Sequence, residues 1–220
     1  MGAPWQGRLE NGIELSPSSF IRRAGSYSTS SNFYGTAELV HLIERAAAVV
    51  ARRNDGSKLT VGELSRQRGG DIDGHGSHEN GRDADLSFYM TDAEGRPYAE
   101  PYAFAEFGAD GHGRGVNAGL RFDDERNWDL VSRLVADGEA RVQYIFVGRH
   151  LRDRLLARAR AVHAPASVIA RAASVLVQPA TGNPHRNHFH VRVYCDPSDR
   201  PSCVDRAPYH PWYPGVIPGH

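Results

Sequence analysis

Apolar positions follow helical and strand periods through the middle of the chain and lose any period towards both ends. From Thr36 onward, Leu39, Leu42, Ile43, Ala46 and Val50 recur at the spacing that lines one face of a helix. Thr36 suits the N-cap, Glu38 the positive end of the helix dipole and Arg52-Arg53 its negative end. Asn54-Asp55-Gly56 then turns the chain, and residues 58–64 alternate weakly, as a short strand does. A second helix is predicted from Asp123 or Asp124, presenting Trp128, Val131, Leu134 and Val135 and stopping at Asp137-Gly138. Stretches 149–162 and 165–173 read as further helices, and 84–90, 142–147, 174–177 and 188–194 as strands.

Helices segregated from short strands indicate one α+β domain. Residues 1–32, rich in Ser, Gly, Pro and Asn, are expected to lie over it as an extended arm. Residues 91–121 are Gly-rich and weakly patterned, as a long functional insertion is. Six of the 13 prolines fall after Asp196, so residues 204–220 form a Pro-rich tail and the domain proper spans 33–203.

Composition narrows the function classes. The 220 residues are 40% hydrophobic and 24% charged, which is globular rather than disordered. Lys+Arg and Asp+Glu are equal at 26 each, so nothing in the overall charge favours nucleic acid or an anionic membrane. No apolar run approaches the roughly 18 residues that span a bilayer. The opening Met1-Gly2-Ala3-Pro4-Trp5-Gln6 shows no signal peptide, which fits either a cytoplasmic protein or a mature exported one. Cys195 and Cys203 share a loop with two prolines. They are a free pair, half of a metal site, or a disulfide. The disulfide is favoured and implies an oxidising compartment.

The chemistry gathers in two His-containing segments, Gly74 to Asp85 and Gly182 to Val193. On a strand, His188, His190 and Arg192 share one face while Phe189, Val191 and Val193 share the other, which must be the core face. Alone, this H-x-H reads most simply as two solvated histidines. The first segment adds Asp83, Asp85 and Ser87 on the open face of a strand whose Leu86 and Phe88 point inward. His78 precedes Asp85 by seven residues in a loop that can fold back beside it. With a histidine from H-x-H, that makes two imidazoles and one carboxylate, the ligand count of a catalytic zinc site with one open position. Glu79 does not complete a helical H-E-x-x-H, because position 82 is arginine. Asp83 suits a hydrogen bond to a histidine N–H. Arg192 suits either a substrate carboxylate or an ion pair.

Ser77-His78, Gly81, Asp85 and the distant His188-Phe189-His190 resemble the zinc peptidases grouped with lysostaphin, the D-alanyl-D-alanine carboxypeptidases and the hedgehog N-terminal domain. Within that group the chain most resembles the penicillin-insensitive murein endopeptidases. Phe33 to Leu39, Gly62-Glu63-Leu64-Ser65, Arg126-Asn127-Trp128 and His185 to Arg192 also carry this likeness. The stretch 96–114 has no counterpart in it. The resemblance implies a small antiparallel sheet flanked by helices, with long loops. It implies one zinc ion per chain, held by His78, Asp85 and His190. It gives His188, with His185, the catalytic role and has His75 lining the site. Asp83 and Arg192, read from their strand faces, contact substrate or support the ligands. The implied reaction is hydrolysis of D-alanyl–meso-diaminopimelyl cross-links in peptidoglycan, by a periplasmic or secreted protein whose signal peptide has been removed. Competing readings are a D,D-carboxypeptidase or dipeptidase on wall peptides, and a non-catalytic zinc module that binds the wall. Neither Ser77 nor Ser87 opens the S-x-x-K of penicillin-binding enzymes, since positions 80 and 90 are Asn and Met.

Overall fold

A six-stranded mixed sheet carries the molecule in the computed structural model, which describes all residues except 55, 99–101 and 217–220. Its strands are β1 (Ile21–Arg23), β2 (Leu59–Val61), β3 (Asp83–Ser87), β4 (Val142–Phe146), β5 (Leu176–Val177) and β6 (His188–Val193). They lie in the order β5-β4-β6-β3-β2-β1. The inner pairings are antiparallel, as the resemblance implies, and the two outer ones are parallel. Each parallel pairing follows from a helical crossover, the connection that parallel neighbours require. Helix α1 (Ala37–Arg53) carries the chain from β1 to β2. Between β3 and β4 lies α2 (Asp124–Ala136), and α3 (Arg149–Ala161) and α4 (Ala166–Val175) connect β4 to β5. The architecture is α+β.

The caps fall where the sequence places them. The Thr36 side chain accepts from the Leu39 N–H and the Asp123 carboxylate from the Arg126 N–H, satisfying first-turn donors. One buried cluster joins Leu39, Leu42 and Ile43 of α1 and Val131 and Leu134 of α2 to the inward residues of the sheet, including Ala84, Leu86, Phe189 and Val191. The helices therefore cover one sheet face and leave the other for chemistry.

Three local expectations change. Strand β3 stops at Ser87 rather than at residue 90, because Asn127 captures the next stretch of backbone. Its Oδ1 accepts from the Tyr89 N–H at 2.8 Å and its Nδ2 donates to the Tyr89 carbonyl at 2.7 Å. Helix α4 runs on to Val175, so the strand expected from residue 174 shrinks to Leu176–Val177. Part of the expected arm belongs to the main sheet: Ile21–Arg23 pairs with Leu59–Val61, and Leu15 and Ile21 join the core. A three-residue strand is too short to show a period in sequence.

The described part of the Pro-rich tail packs against the end of β6 and the side of the sheet. Tyr194, Tyr213 and Val216 form a small buried cluster, and His210 stacks on Trp212 at 4.5 Å. Cys195 and Cys203 are disulfide-bonded, with Cα atoms 5.8 Å apart. Nearby, the buried Arg82 binds Asp205 at 2.6 Å and the Val193 and Val204 carbonyls at 3.1 and 3.0 Å. Breaking a buried pair strands its partner's charge. Asp205→Ala is accordingly expected to cost about 3 kcal/mol, read as a lower urea midpoint at unchanged slope.

Candidate metal centre

The open sheet face gathers its groups through strand register. In the β6–β3 pairing His190 lies opposite Asp85, Arg192 opposite Asp83 and His188 opposite Ser87. Alternation sends Phe189 and Val191 into the core, both fully buried, so all three polar side chains of β6 emerge beside the two aspartates. His78 enters from the loop that leads into β3. The chain reverses there with His78 at φ +77° and Gly81 at φ +74°. At Gly81 a Cβ would press into Leu9, 2.7 Å away, so glycine suits both the angle and the space.

Each ring is held from outside by one nitrogen. His78 donates from Nδ1 to the Leu64 carbonyl at 2.6 Å, which leaves Nε2 bare. His190 Nε2 lies 2.8 Å from Asp83 Oδ1, leaving Nδ1 bare. His188 Nδ1 lies 2.7 Å from Asn187 Oδ1, leaving Nε2. The three bare nitrogens surround one oxygen: Asp85 Oδ1 lies 3.4 Å from His78 Nε2, 3.3 Å from His188 Nε2 and 3.3 Å from His190 Nδ1. Among the described residues, neither His78 Nε2 nor Asp85 Oδ1 has a hydrogen-bond partner, although both are buried. Leaving such atoms bare costs about 1–3 kcal/mol each.

These features fit a metal ion. Tetrahedral ligands at about 2.0–2.1 Å from zinc stand about 3.3–3.4 Å from one another, and each of the three nitrogens stands at that distance from Asp85 Oδ1. Outer partners on the second ring nitrogen are what orient metal-binding imidazoles. The structure offers two such groups, His75 with His78 and Asp85, and His185 with His188 and His190, each with ligand atoms within 4.8 Å. The expected set of His78, Asp85 and His190 straddles them.

The remaining expected residues also come to this face. Asp83 joins His190 to Arg192, whose Nε donates to Asp83 Oδ1 at 2.6 Å. His185 stacks on Phe146 at 5.7 Å and lies 5.0 Å from the His188 ring. His75 places Nδ1 3.7 Å from Asp85 Oδ2. Its Nε2 meets Glu63 Oε2 at 3.0 Å, and Glu63 also accepts from Ser30 and Asn32.

Two members of this site have no role in the sequence reading. Glu63 stands in a stretch noted only for its likeness, with no motif to mark it. Phe104 sits in the unmatched 96–114 segment and stacks on His188 at 5.0 Å. With Trp5, Tyr27 and Phe146 it gives aromatic walls to a cleft of about 850 Å3 onto which His75, His78, Asp85, His185, His188 and His190 face.

Electrostatics favour charge separation. Burial opposes ionisation of Asp83, yet Arg192 and His190 hold its carboxyl far below the usual range. Burial likewise opposes Asp85, and the His188 and His78 imidazoles hold it well below as well. His190 overcomes its own burial through Asp83 and Asp85 and is raised to about 9. His185 is depressed to about 4 by burial and by the neighbouring His188 and His190.

A family model described as penicillin-insensitive murein endopeptidase matches residues 24–212, a span that includes every residue of the cluster. No curated protein matches the chain.

Asp83→Asn is expected to weaken divalent-metal binding about 10–100-fold, measured by competition with a chelating dye, because the His190 ring loses its anchor. In the metal-free protein, the raised pKa of His190 contributes stability in full below about pH 6.5. That contribution is lost as the pH rises through about 9. The depressed aspartates stay ionised throughout this window, so the urea midpoint of metal-free protein should fall between those limits. A flat or rising midpoint contradicts the assignment.

Proposed function

This chain belongs to the family of penicillin-insensitive murein endopeptidases, and we propose that it cleaves D-alanyl–meso-diaminopimelyl cross-links using zinc held by His78, Asp85 and His190. The observation that carries the metal assignment is the pair of buried bare atoms, His78 Nε2 and Asp85 Oδ1, beside the free Nδ1 of His190. Two imidazoles with one carboxylate favour zinc over magnesium or calcium, which prefer all-oxygen shells. When bound, the ion supplies Lewis-acid polarisation of the scissile carbonyl and acidifies water.

The protein's own groups do the rest. His188, anchored at Nδ1 by Asn187, points Nε2 at the same spot as the ligands. From there it hydrogen-bonds the attacking water or the developing oxyanion. Phe104, stacked on the His188 ring, fixes its plane and sheds water from one side. His185 is kept neutral by burial and presents a further imidazole to the cleft. Glu63 orients His75 at the rim of the cluster. Asp83 keeps His190 in the tautomer that frees Nδ1, and Arg192 shares the Asp83 charge.

Peptidoglycan as substrate supports a location outside the cytoplasm, in the periplasm or secreted. The Cys195–Cys203 bridge suits such an oxidising compartment. No helix among the described residues is long and apolar enough to cross a membrane.

Digestion of purified sacculi tests the reaction. Cross-linked muropeptide dimers should become monomers, a zinc chelator should stop this, and added zinc should restore it. Penicillin should neither inhibit nor label the protein, since hydrolysis by activated water forms no acyl-enzyme. Release of single D-alanine with dimers left intact would instead indicate a carboxypeptidase. His190→Ala should lose both zinc and activity. His188→Ala should lose roughly 100-fold or more in kcat while keeping its zinc. The opposite pattern would exchange the roles within H-x-H.

A further inference from the structure

The cleft continues beyond His190. Trp5, Phe146 and Arg192 line both the cleft and a side crevice of about 240 Å3, which Tyr144 and Arg206 help to enclose. Three arginines and no acidic residue line this crevice. Arg82 is already committed to Asp205 and two carbonyls. Arg192 hydrogen-bonds Asp83 through Nε alone, which leaves the terminal nitrogens of its fork for another partner. Arg206 is exposed, lies over the Trp5 ring at 4.7 Å and makes no ion pair among the described residues. The single negative charge of Asp83 is shared between His190 and Arg192. The crevice is therefore basic, with aromatic walls, and shares Trp5, Phe146 and Arg192 with the cleft that holds the metal-ligand candidates.

We propose that Arg192 and Arg206 form a carboxylate-binding subsite for the residue that supplies the leaving amine. The proposal rests on the cross-link reading above and deepens it. In such a cross-link, the carbon bearing the scissile nitrogen also bears a free carboxylate, which must lie close to the reacting bond. Arg192 stands two residues beyond His190 on the same strand face, roughly 6.6 Å along the chain. A carboxylate there receives charge-assisted, forked hydrogen bonds from Arg192 and the second positive charge of Arg206. The corresponding carboxamide brings no charge, so this subsite would discriminate acid from amide forms of the wall peptide.

Synthetic dimers that differ only in this group, free acid against carboxamide, test the subsite on the zinc-loaded protein. The wild type should show a KM about tenfold lower for the acid, with similar kcat. Arg206→Gln should raise the acid KM towards the amide value, Arg192 retaining part of the preference, and leave the amide KM and the zinc content unchanged. Equal KM values in the wild type, or an equal loss on both dimers in Arg206→Gln, would overturn the subsite. If the wild type cleaves neither dimer, the reaction assigned above fails, and the subsite is then judged by calorimetry with the same two peptides. Tighter binding of the acid that is reduced in Arg206→Gln supports it. Equal binding overturns it.

Discussion

Sliding β6 by one residue along β3 would turn His188, His190 and Arg192 into the hydrophobic cluster and bring Phe189 and Val191 out to the cleft. The register that prevents this is secured from both faces. Inside, Phe189 and Val191 are fully buried with Ala84 and Leu86, and Phe189 meets the edge of Phe88 at 4.6 Å. Outside, Asp83 binds Arg192 across the strands and His190 diagonally. Hydrophobic burial and ion pairing thus select the same alignment, and the positions of His188, His190 and Arg192 in the candidate metal centre depend on it.

The two aspartates of β3 divide the work. Asp83 is fully buried and would be costly as an isolated charge, but Arg192 and His190 compensate it and are themselves oriented by it. Asp85, two residues on, has Oδ1 facing only bare ring nitrogens. Leu64, Asn187 and Asp83 each hold an imidazole from behind, so the inner atoms are aimed without being satisfied. Such preorganisation keeps the cost of assembling the site in the fold rather than in the binding step.

Peripheral segments hold the frame and shape the cleft. The tail clamps Arg82, the neighbour of Asp83, through Asp205, and so braces the start of β3. Asn127 of α2 ends the same strand by taking the backbone of Tyr89. The 96–114 segment buries Ala105 and Phe107 in the core and lays Phe104 against His188. The metal-facing groups sit mainly on paired strands, while the cleft walls come from loops, which are the parts free to vary in shape.

Helix α1 was legible in the sequence down to its capping residue and α2 to within one residue of its cap, because caps and amphipathic periods are local properties. The same locality revealed the faces of β3 and β6: alternation alone places Asp83 with Asp85 and His188 with His190, whatever the rest of the chain does. Other features required tertiary contacts. Glu63 meets His75 across 12 residues, Phe104 stacks on His188 from a segment with no pattern, and His190 finds Asp83 across 107 residues. The edge strand Ile21–Arg23 and the early end of β3 likewise depend on partners far along the chain. A period can be read from neighbours in sequence, whereas a ring's free nitrogen is decided by whichever distant group the fold brings to its other side.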